Sequence, residues 1–193
     1  MPIIRPLSKL KYKNFDTFLI DGTFKHHSEI HTCLENVNFE LPKKGEIIHI
    51  ITNKLFNPVN FIEKIIEIDG EILCGGFATY SINKKAVNRL IHHANAKKLH
   101  NINVIFSTMR DNRGENLESA YKILEQSKLF NIAYLYSHTK IIAVRTENNF
   151  YTAEMSSNMT ENSKIEHITL FNNKHLFDFH NNWISKLTSK YKK

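Results

Sequence analysis

Cysteine is scarce in this chain: Cys33 and Cys74 are the only two among 193 residues and stand 41 positions apart. Neither belongs to a CxxC pair. That excludes a disulfide framework and a ribbon-type zinc site, and fits small core thiols kept reduced in a cytoplasmic protein. The six glycines form neither GxGxxG nor GxxxxGK followed by Ser or Thr, which excludes dinucleotide and P-loop sites. No apolar run reaches the roughly 18 residues of a membrane span, and residues 1–15, basic and broken by proline, hold no stretch long enough for a signal peptide. Repeats, linkers and low-complexity segments are also missing. A chain of this length with 41% hydrophobic residues is expected to be one soluble, cytoplasmic domain over residues 1–193 with a sizeable core.

What is present in excess is positive charge. The formal net charge is +7 and the pI about 9.3. A basic protein gains affinity for phosphate polymers by releasing their counterions, so a polyanionic partner is favoured over an acidic protein surface. Lys, Asn and Ile are frequent throughout, and along the sequence the charge reads as scattered.

The apolar periodicity alternates. A short strand is expected within residues 16–24, followed by a helix capped by Ser28 and carrying Ile30, Cys33, Leu34 and Val37. EIIHIIT (46–52) reads as a buried strand and residues from Pro58 as a helix burying Phe61, Ile62, Ile65 and Ile66. A strand over 71–81 contains Gly75-Gly76, a signal for a bulge or a close backbone approach. Asn83 caps an amphipathic helix with Ala86, Val87, Leu90, Ile91 and Ala94. A strand over 103–109, a helix over 116–130 and a strand over 132–136 follow. A final helix over 175–191 bears Leu176, Phe177, Phe179, Trp183, Ile184 and Leu187. Strands alternating with helices predict an α/β fold, a three-layer α/β/α sandwich with a mixed, mainly parallel sheet.

The stretch from Tyr134 to Phe171 departs from this regular pattern. His138 and Lys140 interrupt an apolar run and, if on a strand, share one face. Glu147-Asn148-Asn149 reads as a turn and residues 150–153 as a returning strand that brings Ser156 and Asn158 back beside His138. Glu166 lies on a third strand. Polar residues within apolar strands cost stability unless they satisfy one another or a ligand. These types suit a phosphodiester: Lys140 as a point charge, Asn158 and Ser156 as neutral donors, His138 as nucleophile or proton carrier, and Glu166 as acceptor from an imidazole N–H.

His138-Thr139-Lys140, an apolar strand, a turn, and Ser156-Ser157-Asn158-Met159-Thr160 together resemble the HxK...GSxN-apolar-T signature of the phospholipase D superfamily, with Glu166 near the position of its supporting acid. The resemblance covers residues 138–166. It implies the superfamily's α/β/α layout. Because a single HxK is present, it also implies the form in which two subunits meet across a two-fold axis and each contributes one motif. It further implies a metal-independent phosphodiesterase, without cofactor, working through a phosphohistidine. Catalytic roles would fall on His138, Lys140, Asn158, Ser156 and Glu166, and substrate binding on Thr160. Small size, basic charge and the lack of membrane targeting point to DNA or RNA rather than lipid. There are departures: Arg145 stands where the family has an aspartate, Met155 where it has a glycine, and the spacer is longer. Arg145 could bind a phosphate instead, or the chain could be an inactive relative that binds nucleic acid or a protein. Residues 1–42 lie outside the resemblance and read as an N-terminal extension.

Bland readings compete at each position. His138 and Lys140 could be an isolated polar pair, Ser156 a turn residue and Glu166 a solvated strand residue. Conversely His27 and His31, at i and i+4 on the expected helix and near His26 and Cys33, have zinc-like spacing but lack a convincing fourth ligand.

Overall fold

The computed structural model describes residues 25–31, 40–52, 56–108, 114–160 and 165–192. Among the described residues eight strands and four helices follow one another: β1 (Lys25–His31), β2 (Glu46–Thr52), α1 (Val59–Asp69), β3 (Cys74–Thr79), α2 (Lys84–Asn95), β4 (Ile102–Ser107), α3 (Gly114–Ser127), β5 (Phe130–Leu135), β6 (Ile141–Arg145), β7 (Phe150–Met155), β8 (Glu166–Asn172) and α4 (Lys174–Tyr191). The strands form one sheet in the order β1-β2-β8-β7-β6-β3-β4-β5.

Alternation along the strands divides the core into two. Phe77, Val104, Phe106, Ile142, Val144, Ala153, Ile168 and Leu170 point to the face covered by α1, α2 and α3. Ala78, Ile105, Ile141 and Ala143 point to the other, where α4 lays Phe177 and Ile184. The result is the expected α/β/α sandwich. The apolar stripes of the helices match their sequence spacing: α1 buries Phe61, Ile62, Ile65 and Ile66, and α2 buries Ala86, Val87, Leu90 and Ala94. Asn83 caps α2 as expected, its Oδ1 accepting from the Ala86 N–H at 2.8 Å.

Three expectations are corrected. The sheet is mixed, as expected, but not mainly parallel: β1–β2, β3–β4 and β4–β5 pair in parallel, whereas β2–β8, β8–β7, β7–β6 and β6–β3 pair antiparallel. Crossovers through α2 and α3 make the β3–β4 and β4–β5 pairs parallel, whereas β6, β7 and β8 follow one another as antiparallel neighbours. The helix expected from Ser28 is strand β1 over Lys25–His31, paired with β2 from Lys25↔Glu46 to His31↔Thr52. Pairing with the Ile-rich strand β2 outweighs weak local helical periodicity. The zinc spacing of His27 and His31 falls with it, because i and i+4 on a strand are about 13 Å apart. Cys33, Leu34, Val37 and the strand expected within residues 16–24 lie outside the described residues.

Gly75 and Gly76 allow close approach on two sides. A Cβ on Gly75, whose φ is +153°, would lie 2.3 Å from the Ala143 carbonyl oxygen of β6, and one on Gly76 would lie 2.7 Å from Ile184 Cγ2 of α4. Gly75→Ala is expected to destabilise the domain by about 2–4 kcal/mol, combining backbone strain with overpacking. A urea unfolding curve read by circular dichroism checks this, with an unchanged midpoint as the contrary result.

Candidate active site at one edge of the sheet

The topology brings the ends of several strands to one edge. The carboxyl ends of β2, β3, β4, β5 and β7 and the amino ends of β6 and β8 all lie there, as their pairing directions require. In open α/β sheets this is the edge where ligands bind.

His138 and Lys140 stand here, but not on a strand. Residues 136–140 link β5 to β6 without strand structure. The Ser137 hydroxyl bends this link, accepting from the Thr139 N–H at 3.2 Å and donating to Thr139 Oγ1 at 3.1 Å, a local bond that competes with pairing. The two basic residues nevertheless meet. Lys140 Nζ lies 3.1 Å from His138 Nδ1 and donates to the His138 carbonyl oxygen at 2.9 Å. An ammonium only donates, so while Lys140 is charged Nδ1 must accept, and a neutral His138 then carries its proton on Nε2. Burial pushes the Lys140 pKa down, while the negative charge of Glu166 pushes it up; the net shift is downward.

The second half of the motif is carried in by β7 and β8. The Met155 N–H donates to the Lys140 carbonyl oxygen at 3.1 Å, tying the end of β7 to the residue before β6. Ser156 is then clamped to β8: its N–H donates to the His167 carbonyl oxygen at 3.0 Å, its Oγ accepts from the His167 N–H at 2.9 Å, and its hydroxyl donates to Glu166. Glu166 is only 8% exposed, which rejects the solvated-strand reading. Ser156 is therefore more than a turn residue, since it satisfies a buried carboxylate.

Asn158 is positioned through its neighbour. The Met159 N–H donates to the Ser81 carbonyl oxygen at 3.1 Å and to Thr79 Oγ1 at 3.2 Å, and the Asn83 N–H donates to the Met159 carbonyl oxygen at 3.2 Å. The Asn158 loop is thus docked where β3 passes into α2. Asn158 Oδ1 is buried and has no hydrogen-bond partner among the described residues, an acceptor whose desolvation is uncompensated. Thr160 follows, half-buried.

Arg145 is not brought to this group. It ends β6, five residues beyond Lys140, paired with Cys74 and Phe150. At the rise of a strand that is about 16 Å away, at the opposite edge of the sheet.

Sequence reasoning missed Tyr80 and Thr79. The Tyr80 ring lies 5.4 Å from that of His138, and Thr79 holds Met159 as described, so the end of β3 joins the two halves of the motif. The available signal was position alone, since a parallel strand ends at the binding edge.

No family model and no curated protein sequence matches the chain. Among solved structures it is similar to a mutant of yeast tyrosyl-DNA phosphodiesterase 1, at 12% identity over 63% of this chain and 31% of that one, with a TM-score of 0.39. It is also similar to polyphosphate kinase from Porphyromonas gingivalis, at 15% identity over 63% and 24%, with a TM-score of 0.45. Another yeast tyrosyl-DNA phosphodiesterase structure aligns at 13% identity over 50% and 25%, with a TM-score of 0.32. The chain spans less than a third of each of these chains.

Two outcomes follow from the geometry. Ser156→Ala is expected to cost about 1.5–3 kcal/mol in thermal or urea unfolding, because it strips a charge-assisted bond from buried Glu166; a neutral effect would show that Glu166 finds other donors. Glu166→Gln is expected to lower the Lys140 pKa further, since it removes the one charge that opposes desolvation. A lysine-selective NMR titration reads that shift, and a rise would contradict the geometry.

Proposed function

We propose that this chain is a phosphodiesterase of the phospholipase D type, a metal-independent nuclease whose complete site is shared by two copies. The observation that carries this reading is the convergence of His138, Lys140, Ser156, Glu166 and the Asn158 loop on one sheet edge, despite their separation along the chain. The register of β6, β7 and β8 brings the backbone positions together, but core burial does not require His, Lys, Ser, Glu and Asn at those positions.

In this reading a phosphate oxygen draws on Lys140 and on the Asn158 side-chain amide, which hold the nonbridging oxygens as negative charge develops. Lys140 spends two donors on His138, so its third N–H serves the phosphate first. As Lys140 turns towards the anion it releases Nδ1, the imidazole proton moves there, and Nε2 becomes the nucleophile. His138 attacks phosphorus, the P–O bond to the leaving group breaks, and the partner subunit's His138 protonates the departing oxygen. That same imidazole then takes a proton from water, whose oxygen displaces the phosphohistidine nitrogen and regenerates both residues. The partner subunit's His138 is the acid half as its imidazolium, protonated at both nitrogens, so the partner's Lys140 has also left Nδ1 for the phosphate; loss of the Nε2 proton leaves a neutral imidazole that can take the proton from water. Glu166 and Ser156 act by positioning: the carboxylate opposes the desolvation of Lys140, and the hydroxyl holds the carboxylate.

Thr160, close behind Asn158, serves the substrate side of the loop. The net charge of +7 favours nucleic acid over a lipid headgroup. Arg145 lies too far along β6 to share the same phosphate.

The test is hydrolysis of bis(4-nitrophenyl) phosphate and of single- and double-stranded DNA and RNA in excess EDTA. Native activity is expected to survive chelation, and His138→Ala to lose at least about 10³-fold. Sedimentation should show a dimer. Failure of the folded native protein to cleave any of these substrates, or full activity in His138→Ala, would sink the reading.

A further inference from the structure

Read along the sequence the basic charge looks scattered, but one element concentrates it. From residue 72 to residue 110 the chain contains no Asp or Glu and six Lys and Arg, which accounts for all but one of the net +7 charges. The centre of this run is α2. Lys84, Lys85, Asn88, His92 and Asn95 are exposed, and Lys97 and Lys98 continue the exposed line beyond its end. At 100° per residue the five helical positions share one face, opposite the buried Ala86, Val87, Leu90 and Ala94.

The placing of Lys84 and Lys85 is not explained by the helix. They occupy the first turn, which holds no acidic residue, and there the partial positive charge of the helix N-terminus disfavours cations. Asn83 already provides the cap. Lys97 and Lys98 differ, because a helix C-terminus favours positive charge. Arg89 is also committed elsewhere: its guanidinium bonds both oxygens of Glu63 and the Asn60 side chain. Burial pushes the Glu63 carboxyl up, but bonds and charge from Arg89, then His93, bring it below the ordinary carboxylate range. The nearest acid on α1 is thus neutralised in place. A shallow, open surface depression bordered by Glu63, Lys84, Lys85, Asn88, Arg89 and His92 lies beside it.

This face begins at the candidate site. The Asn83 N–H bonds the Met159 carbonyl oxygen and Ile82 bridges to Met159, so Lys84 and Lys85 stand directly beside the loop that carries Asn158. We propose that the exposed face of α2 is a track along which the phosphate backbone of a nucleic acid is led to this loop. The proposal rests on the phosphodiesterase reading for the identity of the substrate, but its surface is separate from the reacting groups. A helix of 12 residues is about 18 Å long, room for about five phosphates of one duplex strand.

The test uses the His138→Ala protein, so that an oligonucleotide survives, and measures its binding by fluorescence anisotropy over a KCl series. Adding Lys84→Ala and Lys85→Ala is expected to weaken binding about tenfold and to reduce the slope of log affinity against log salt by about one to two. Unchanged affinity and slope would overturn the proposal. So would loss of binding to phosphatidylserine vesicles with oligonucleotide binding intact, which would make the face a membrane surface. Lys84→Glu should leave the Tm unchanged or raise it, because it suits the helix N-terminus; a lower Tm together with unchanged oligonucleotide binding would assign the lysine to folding. Hydrolysis of bis(4-nitrophenyl) phosphate by the native protein separates the two readings. Lysine-dependent binding without hydrolysis keeps the track and removes the enzyme, and hydrolysis with lysine-independent binding does the reverse.

Discussion

The antiparallel register of β6, β7 and β8 is the constraint on which the candidate site depends. Ile141 faces Glu154 and Met155 faces Ile168, so Lys140, Ser156 and Glu166 come to the same edge of the sheet. A slip of one residue would turn Ile142, Val144, Ala153 and Leu170 out of the larger core and Ala143 into it. Burial of these side chains therefore enforces the register, and the register delivers the polar residues. Glu166 strengthens the arrangement, since a buried carboxylate is tolerated only where donors such as Ser156 reach it.

The other half of the arrangement comes from β3. Its two glycines let β6 approach on one side and α4 on another. Its last residues, Thr79 to Ser81, then capture Met159 and present Tyr80 to His138. The edge is thus assembled by a parallel strand meeting an antiparallel hairpin. Here the pairing changes from antiparallel, between β6 and β3, to parallel, between β3 and β4. The basic face of α2 starts at the same junction, so the proposed phosphate site and the proposed track share one anchor.

Departures from the phospholipase D pattern take on a physical location. Arg145 ends β6 at the edge remote from Lys140, so the reversal of charge relative to the family's aspartate does not enter the group formed by His138, Lys140 and Glu166. Met155 donates its backbone N–H to the Lys140 carbonyl oxygen, a bond any residue other than proline supplies. Its side chain packs against the core. The glycine of the family is therefore not needed to close this hairpin.

Much of the fold was legible from the amino-acid order. EIIHIIT, the stripe of α1, the Asn83 cap and the alternation of strands and helices encode the layers, because burial of periodic apolar residues is a local pattern with a global consequence. The spacing of His138, Lys140, Ser156, Asn158 and Glu166 was enough to nominate phosphate chemistry. What the order could not disclose was the outcome of non-local competition. KHHSEIH is a strand because β2 offers it a partner, and the residues around His138 leave the strand because Ser137 bonds within its own turn. Arg145 is excluded from the group by the length of β6, Tyr80 is included by the ending of β3, and Lys84 and Lys85 start beside the Asn158 loop because β3 passes into α2 there. Periodicity is a property of neighbours along the chain and is present before folding, whereas proximity across a sheet exists only once pairing has chosen among alternatives of similar local energy.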